Sequence, residues 1–330
     1  MSRSNVLKEP ITDVKIEDDM KVGEFIEALD RAYGFMAGHL SSACKIVSEM
    51  IVDKEATKFL SFTGNLIATG LRGIIAQMIR EGFVDVIVTT CGAIDHDIVR
   101  SIGSTYYKGS FDVDDTYLAS MKIHRLGNIF IPWEDYGERV EEFTRKLVEK
   151  LSSKVEWGVR EILYEAGRLI NDENSILKAA YDMKVPIYVP GIVDGAFGTQ
   201  LFIQSQFRKF RIDPFIDMKE LSDLIFKAKK IGAIIVGGGI SKHHVIWWSQ
   251  FKEGLDYVIY ITTAIEYDGS LSGARPKEAI SWGKVKPKAK KTFIYGDATL
   301  ILPLIVAGVK YYVKRFRSSR LNTKALKRIM

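Results

Sequence analysis

Cysteine is scarce: two thiols, Cys44 and Cys91, stand in a chain of 330 residues. Two are too few for a disulfide framework, and no group of residues has the spacing of a zinc site. The expectation is a reducing compartment and no metal. Long apolar runs are also missing, and none approaches the roughly 18 residues that a membrane span needs. Met1 to Pro10 lacks the apolar segment of a secretion signal. A cytoplasmic protein that does not enter a membrane is therefore expected. Internal repeats and low-complexity stretches are absent as well.

What is present suits a folded chain. Apolar residues make up 47% and charged residues 27% of the sequence, enough of each for a large core and a wetted surface. The net charge is +6, and much of the excess is C-terminal. Between Lys310 and Met330 lie eight Lys or Arg and no acid. That segment reads as a solvated helix face or as a docking surface for an acidic protein or RNA. Aromatic interleaving there is limited to Tyr311, Tyr312 and Phe316, so no nucleic-acid site is expected.

Residues 23–52 carry apolar side chains at helical spacing (Phe25, Ile26, Leu29, Tyr33, Phe35, Met36) and predict one or two helices outside a main sheet. A second pattern then recurs. Lys58–Phe62, Val84–Val88, Val185–Val189, Ala233–Val236, Tyr257–Ile261 and Thr292–Tyr295 are short apolar runs, each ending in small or polar residues. Helical segments separate them. Runs of this kind read as strands buried on both faces of a parallel sheet. The predicted fold is a doubly wound, Rossmann-like α/β domain, with a ligand beyond the carboxyl ends of its strands.

Those ends hold the candidate site residues. Gly237-Gly238-Gly239 follows a strand and either makes a tight turn or lets backbone approach a pyrophosphate at a helix N-terminus. Thr63-Gly64-Asn65 and Thr90-Cys91-Gly92 occupy equivalent positions and could offer N–H groups and hydroxyls to a nucleotide. Asp297 either caps a helix or accepts from a ribose. Asp194 either forms an Asx-turn or holds a cationic group. Of the adjacent His243 and His244, at most one faces such a site, because neighbours on a helix point apart. The densest segment runs from Asp268 to Lys284, a Gly/Ser loop followed by Arg275-Pro276-Lys277-Glu278 and Ser281-Trp282-Gly283-Lys284. Lys284 is either a surface lysine or an amine kept uncharged beside Trp282 and able to form an imine.

The segment Asp268-Gly269-Ser270, Ser272-Gly273-Ala274-Arg275-Pro276, Glu278-Ala279 and Ser281-Trp282-Gly283-Lys284 closely resembles the signature of the deoxyhypusine synthase family. Asn65-Leu66-Ile67, Val84 to Thr90, Arg125-Leu126-Gly127-Asn128, Asp194-Gly195, Gly237 to Gly239, Lys242-His243-His244 and Tyr257 to Ala264 fit in the same order, so the resemblance spans roughly 8–310. It implies a Rossmann-like homotetramer that uses NAD to move the 4-aminobutyl group of spermidine onto one lysine of the translation initiation factor 5A precursor. Lys284 would carry that group as an imine. The family pattern puts Gly64, Asn65, Thr90, Cys91, Gly92, Asp194, Gly238, Thr263, Ala264, Asp297 and Ala298 at the NAD. It puts Asp95, His96, His243, Gly269, Ser270, Glu278 and Trp282 at the polyamine, with His243 orienting the amine or moving its proton.

The chain departs from the pattern at several positions. Asp95-His96 stands where eukaryotic members have two glutamates, with Asp97 beside them; Thr199 and Leu271 replace aspartates, and Trp247 replaces an asparagine. These departures resemble archaeal members. Three segments are expected: 1–52, an N-terminal extension with helices packed on the core; 53–310, the NAD-binding catalytic domain; and 311–330, the basic C-terminal segment. Neighbouring readings are an aminobutyl transferase with a free diamine acceptor, as in homospermidine synthase, and a non-catalytic NAD-binding scaffold. The basic C-terminal segment favours a protein acceptor.

Overall fold

A computed structural model describes residues 7–151 and 154–329, with side chains described as far as residue 316. Six strands form the main sheet: β1 (Ala56–Ser61), β2 (Val86–Val88), β3 (Ile187–Tyr188), β4 (Lys230–Val236), β5 (Leu255–Thr262) and β6 (Val285–Tyr295). Their spatial order is β6-β5-β4-β1-β2-β3, and every neighbouring pair is parallel. This is the doubly wound order, with its switch point between β1 and β4. Each predicted apolar run overlaps one of these strands, although Phe62, Val84-Asp85, Val185-Pro186 and Val189 fall just outside them.

The two-residue period of a strand explains why the runs are apolar throughout. Along β1, Phe59 joins one buried cluster and Leu60 the other, and Ile235 and Ile234 divide likewise along β4. Both faces are covered, which favours apolar residues along the central strands; the buried hydroxyls of Ser61 and Tyr260 are exceptions that have no hydrogen-bond partner among the described residues. Full burial of each apolar side chain contributes about 1.5–3 kcal/mol.

The N-terminal region forms two helices, α1 (Val22–Ala32) and α2 (Met36–Val52). They pack on the last helix, Ala298–Ile329. Gly308 lies against Cys44 and Ile26, and Tyr311 and Arg315 both donate to the Glu27 carboxylate at 2.8 and 2.9 Å. The last helix passes the boundary drawn at residue 310 without a break.

Two features were not legible in advance. β6 begins at Val285 rather than at Thr292, although it contains Pro287 and four lysines. As an edge strand it tolerates a missing donor and a charged face. A separate three-stranded antiparallel sheet is built from Tyr107–Lys108, Ile123–Leu126 and Ile129–Pro132. Its hairpin turns on Gly127-Asn128, with Gly127 at φ +61°, a conformation glycine adopts without penalty.

Candidate active site

A cleft of about 650 Å³ opens over the switch point. Its floor is the carboxyl ends of the central strands: Thr63 after β1, Gly237 and Gly238 after β4, Thr263 and Ala264 after β5, Asp297 and Ala298 after β6. Asn65 also lines it, from the helix Gly64–Ala68. The glycines are sterically required. Gly237 has φ +80°, and a Cβ on Gly238 would overlap the side chain of Ser272. A Cβ on Gly64 would come within 2.9 Å of the Gly92 carbonyl carbon, so this pair lets two helix N-termini close together beside the cleft. Two helix N-termini also open toward it, at Gly239 and Ala298, and such ends favour anionic groups. Of the roles left open for Asp297, the capping one is seen. Its carboxylate accepts from the Thr299 N–H at 2.9 Å and the Thr299 hydroxyl at 2.6 Å, yet it remains exposed at the cleft. Glycine-lined strand ends, helix N-termini and an exposed carboxylate are together the donor set a dinucleotide needs, and the residues present fit NAD.

Other expected cofactor residues stand outside this lining. Thr90 and Gly92 begin the helix α3 (Cys91–Ser101) beside it. Cys91 is fully buried, its thiol donating to Asp95 at 3.8 Å and pushed up to about 12 by burial. Only its backbone can face a ligand. Asp194 is exposed in the loop before the helix α4 (Ala196–Phe207).

Sequence reasoning passed over one wall of the cleft. Phe111 and the turn Leu126–Ile129 close it from the small sheet. The Gly127-Asn128 pair between alternating strands was the signal that could have located that hairpin.

A second cavity, of about 200 Å³, surrounds Lys284 on the sheet face that carries Tyr260. Lys284 follows the short helix Glu278–Ser281 and precedes β6. Gly283 at φ +66° turns the chain between them. The backbone of Lys284 is then pinned: its N–H donates to Ala279, and its carbonyl accepts from Leu255 and from the Ser249 hydroxyl, at 3.0–3.1 Å. The residue is 9% exposed. Its Nζ lies 5.2 Å from the ring centroid of Trp282 and 5.7 Å from that of Trp247.

His243 and Glu278 line this cavity as well, both from exposed positions. Burial, and then the positive charge of Lys284, lower the His243 pKa, so its ring is a proton acceptor near neutrality. His244 turns away and packs on Trp248. Lys242, missed from sequence as a site residue, is 1% exposed, its Nζ donating to the carbonyls of Leu271 (2.6 Å) and Ala274 (2.8 Å). Burial brings it down to about 8. The loop it holds is the partition between the two cavities, because Ser272 lines the cleft while Leu271 and Ala274 line the lysine cavity. Gly269 and Ser270 lie on the exposed side of that loop, outside the cavity lining.

Asp95 and His96 are not brought to Lys284. They follow β2, and the sheet order places three strands between β2 and β6. At about 4.8 Å per strand this is a separation near 19 Å. The Asp95 carboxylate accepts from the N–H groups of Ala196 (3.0 Å) and Phe197 (2.8 Å) and from the Tyr136 hydroxyl (3.2 Å), capping α4. His96 is buried with its ring bonded to the Tyr106 hydroxyl at 2.8 Å. Burial depresses its pKa to about 4. Within one chain these two side chains serve packing. Asp97 likewise accepts from Arg72, Ser175 and the N–H groups of Ile176 and Leu177.

Fold and site together define a doubly wound enzyme with a dinucleotide-type cleft and a sequestered lysine beside it. The family profile for deoxyhypusine synthase matches residues 24–309. A relative from Sulfurisphaera tokodaii is 56% identical, over 94% of this chain and 99% of its own length; one from Ignicoccus hospitalis is 51% identical, over 96% and 100%. Each is described as a probable deoxyhypusine synthase. A crystal structure from Entamoeba histolytica, provisionally described as a deoxyhypusine synthase, shares the fold with a TM-score of 0.62 and 20% identity, over 91% of this chain and 97% of that one. The chain belongs to the deoxyhypusine synthase family, whose members are NAD-dependent aminobutyl transferases.

Proposed function

We propose that this enzyme transfers the 4-aminobutyl group of spermidine to a lysine of the translation initiation factor 5A precursor. The observation that carries the reading is Lys284, sunk between two indoles and separated from the glycine-lined cleft only by the Leu271–Ala274 segment. The chemistry that NAD would supply, when bound, is uptake of a hydride from the donor carbon and its later return to the product. The cleft residues Asn65, Gly238, Thr263, Ala264, Asp297 and Ala298 would hold it, with Gly64, Thr90, Cys91, Gly92 and Asp194 supporting from the rim.

The remaining steps belong to the protein. Glu278 pairs with an amine end of the donor, and Trp282 flanks its methylenes. His243 takes the proton that the donor nitrogen loses as its C–N bond becomes an imine. The Lys284 amine adds to that imine carbon, and 1,3-diaminopropane leaves with the original nitrogen. Lys284 now carries the 4-aminobutyl group as its own imine. The acceptor lysine displaces Lys284 in the same manner, and reduction of the final C=N bond completes deoxyhypusine. Oxidation and reduction cancel, so no external oxidant is consumed. Exclusion of water would serve this sequence, since all three imines are open to hydrolysis.

We further assign residues 53–310 as the catalytic unit, a homotetrameric assembly and a cytoplasmic location. Phe202, Phe207 and Phe215 are more than 60% exposed, which supports burial against further copies. Among the described residues no helix is long and apolar enough to cross a membrane. The test is a transfer assay with NAD, labelled spermidine and the factor 5A precursor, comparing wild type with Lys284→Arg. Label on the protein acceptor with wild type alone supports the proposal. Label passed only to putrescine would establish the free-diamine reading instead, and no release of 1,3-diaminopropane would refute both.

A further inference from the structure

The lysine cavity is poor in the groups that ordinarily hold a polycation. Its lining carries Lys242, His243, Arg275 and Lys284 against one carboxylate, Glu278. A second and third ammonium on a donor would find no counter-ion there. Aromatic surface stands beside Lys284 in their place, Trp282 in the cavity lining and Trp247 just outside it. Trp282 is 67% exposed and Trp247 43%, both high for so large an apolar side chain, and the Lys284 Nζ lies between 5 and 6 Å from each ring centroid. Trp247 has two ring neighbours: His243 stacks on it at 5.7 Å and 27°, and Phe251 meets it edge-on at 6.2 Å. Such contacts narrow the indole's rotamer choice before a ligand arrives, which lowers the ordering cost of binding.

We propose that Trp247 is a donor-specificity residue, the second jaw of an aromatic clamp that, with Trp282, takes the methylene chain and terminal ammonium of an aliphatic amine at Lys284. This rests on Lys284 being the group that takes up the donor. Two consequences follow from the chemistry of the clamp. Methylenes between two ring faces gain dispersion and apolar burial, and an ammonium over a ring face gains cation–π attraction. Neither contact is screened by salt as an exposed ion pair is. Donor binding should therefore depend strongly on the ring at position 247, and the part lost with that ring should be much the same at low and high salt.

The experiment is equilibrium binding of spermidine by calorimetry to the enzyme loaded with NADH, which cannot take up a hydride, for wild type, Trp247→Phe and Trp247→Leu, at low and high salt. Trp247→Leu is expected to weaken binding by about 3- to 30-fold, and Trp247→Phe by less than about 3-fold, because one aromatic face remains. Rescue by phenylalanine separates loss of the ring from misfolding, which would affect both variants alike. Equal binding by Trp247→Leu and wild type would overturn the proposal, as would a Trp247→Leu loss that disappears at high salt. With NADH in place of NAD no hydride is taken up, so calorimetry reads binding without turnover. Failure here with intact transfer to Lys284 refutes the clamp alone, and intact binding with no transfer refutes the function proposed for Lys284.

Discussion

Replacing Asp95 by alanine removes a carboxylate that accepts two backbone N–H groups at the start of α4 and one hydroxyl from Tyr136. The N–H groups of Ala196 and Phe197 would be left without that acceptor. An unmade buried hydrogen bond costs about 1–3 kcal/mol, and loss of a helix cap about 0.5–2 kcal/mol. Part of this is offset, because Asp95 is itself costly to bury; burial holds its pKa above the ordinary carboxylate range despite those donors. The net loss should be about 2–4 kcal/mol. For a chain of this size that lowers Tm by roughly 3–6 °C. Urea unfolding followed by circular dichroism measures the loss, and steady-state kinetics measure KM for spermidine in the same variant. Stability within about 1 kcal/mol of wild type, together with a tenfold rise in KM, would refute the capping role and return Asp95 to the polyamine site.

Other consequences are equally direct. His96 and His244 are both depressed to about 4 by burial. The unfolded chain protonates near pH 6.5 and the folded one near 4, so the stability these groups contribute is complete above 6.5 and lost as pH falls toward 4. Asp217, raised to about 7 by burial, works in the opposite direction over the same range. The difference between wild type and His96→Gln isolates one histidine: its slope between pH 6 and 4.5 should be shallower by about 1.4 kcal/mol per unit, and an unchanged slope would refute the burial. Gly238→Ala should abolish NAD binding measured by calorimetry, because its Cβ displaces Ser272 and the partition loop; wild-type affinity would show that the loop yields. Lys242→Met should raise KM for both NAD and spermidine, since Lys242 holds the loop bordering both cavities. A change in one KM alone would place its influence on one side of the loop.

The main sheet was legible because parallel strands buried on both faces leave continuous apolar runs, and all six runs proved to be its strands. The glycines after β1 and β4 were legible for a related reason: small residues stand where backbone must approach closely. Edge geometry was not. Pro287 and its flanking lysines look nothing like a strand until β6 is seen to lie at the border of the sheet. Two-residue strands such as Tyr107–Lys108 carry too little periodicity to register at all. Within the site, Lys284 and Trp282 stood out through their motif. Trp247 did not, because its partner is 37 positions away in sequence and meets it only across the sheet face. The capping role of Asp95 was hidden for a similar reason. A carboxylate near a strand end looks the same in sequence whether it faces a ligand or caps a helix beginning a hundred residues later.

The most direct test of the account is chemical capture of the covalent intermediate. Enzyme incubated with NAD and labelled spermidine, without acceptor, would be treated with borohydride and mapped by peptide mass spectrometry. The account predicts a stable 4-aminobutyl adduct on Lys284, formed together with 1,3-diaminopropane and absent from Lys284→Arg. An adduct on another lysine, or release of 1,3-diaminopropane with no adduct at all, would contradict it.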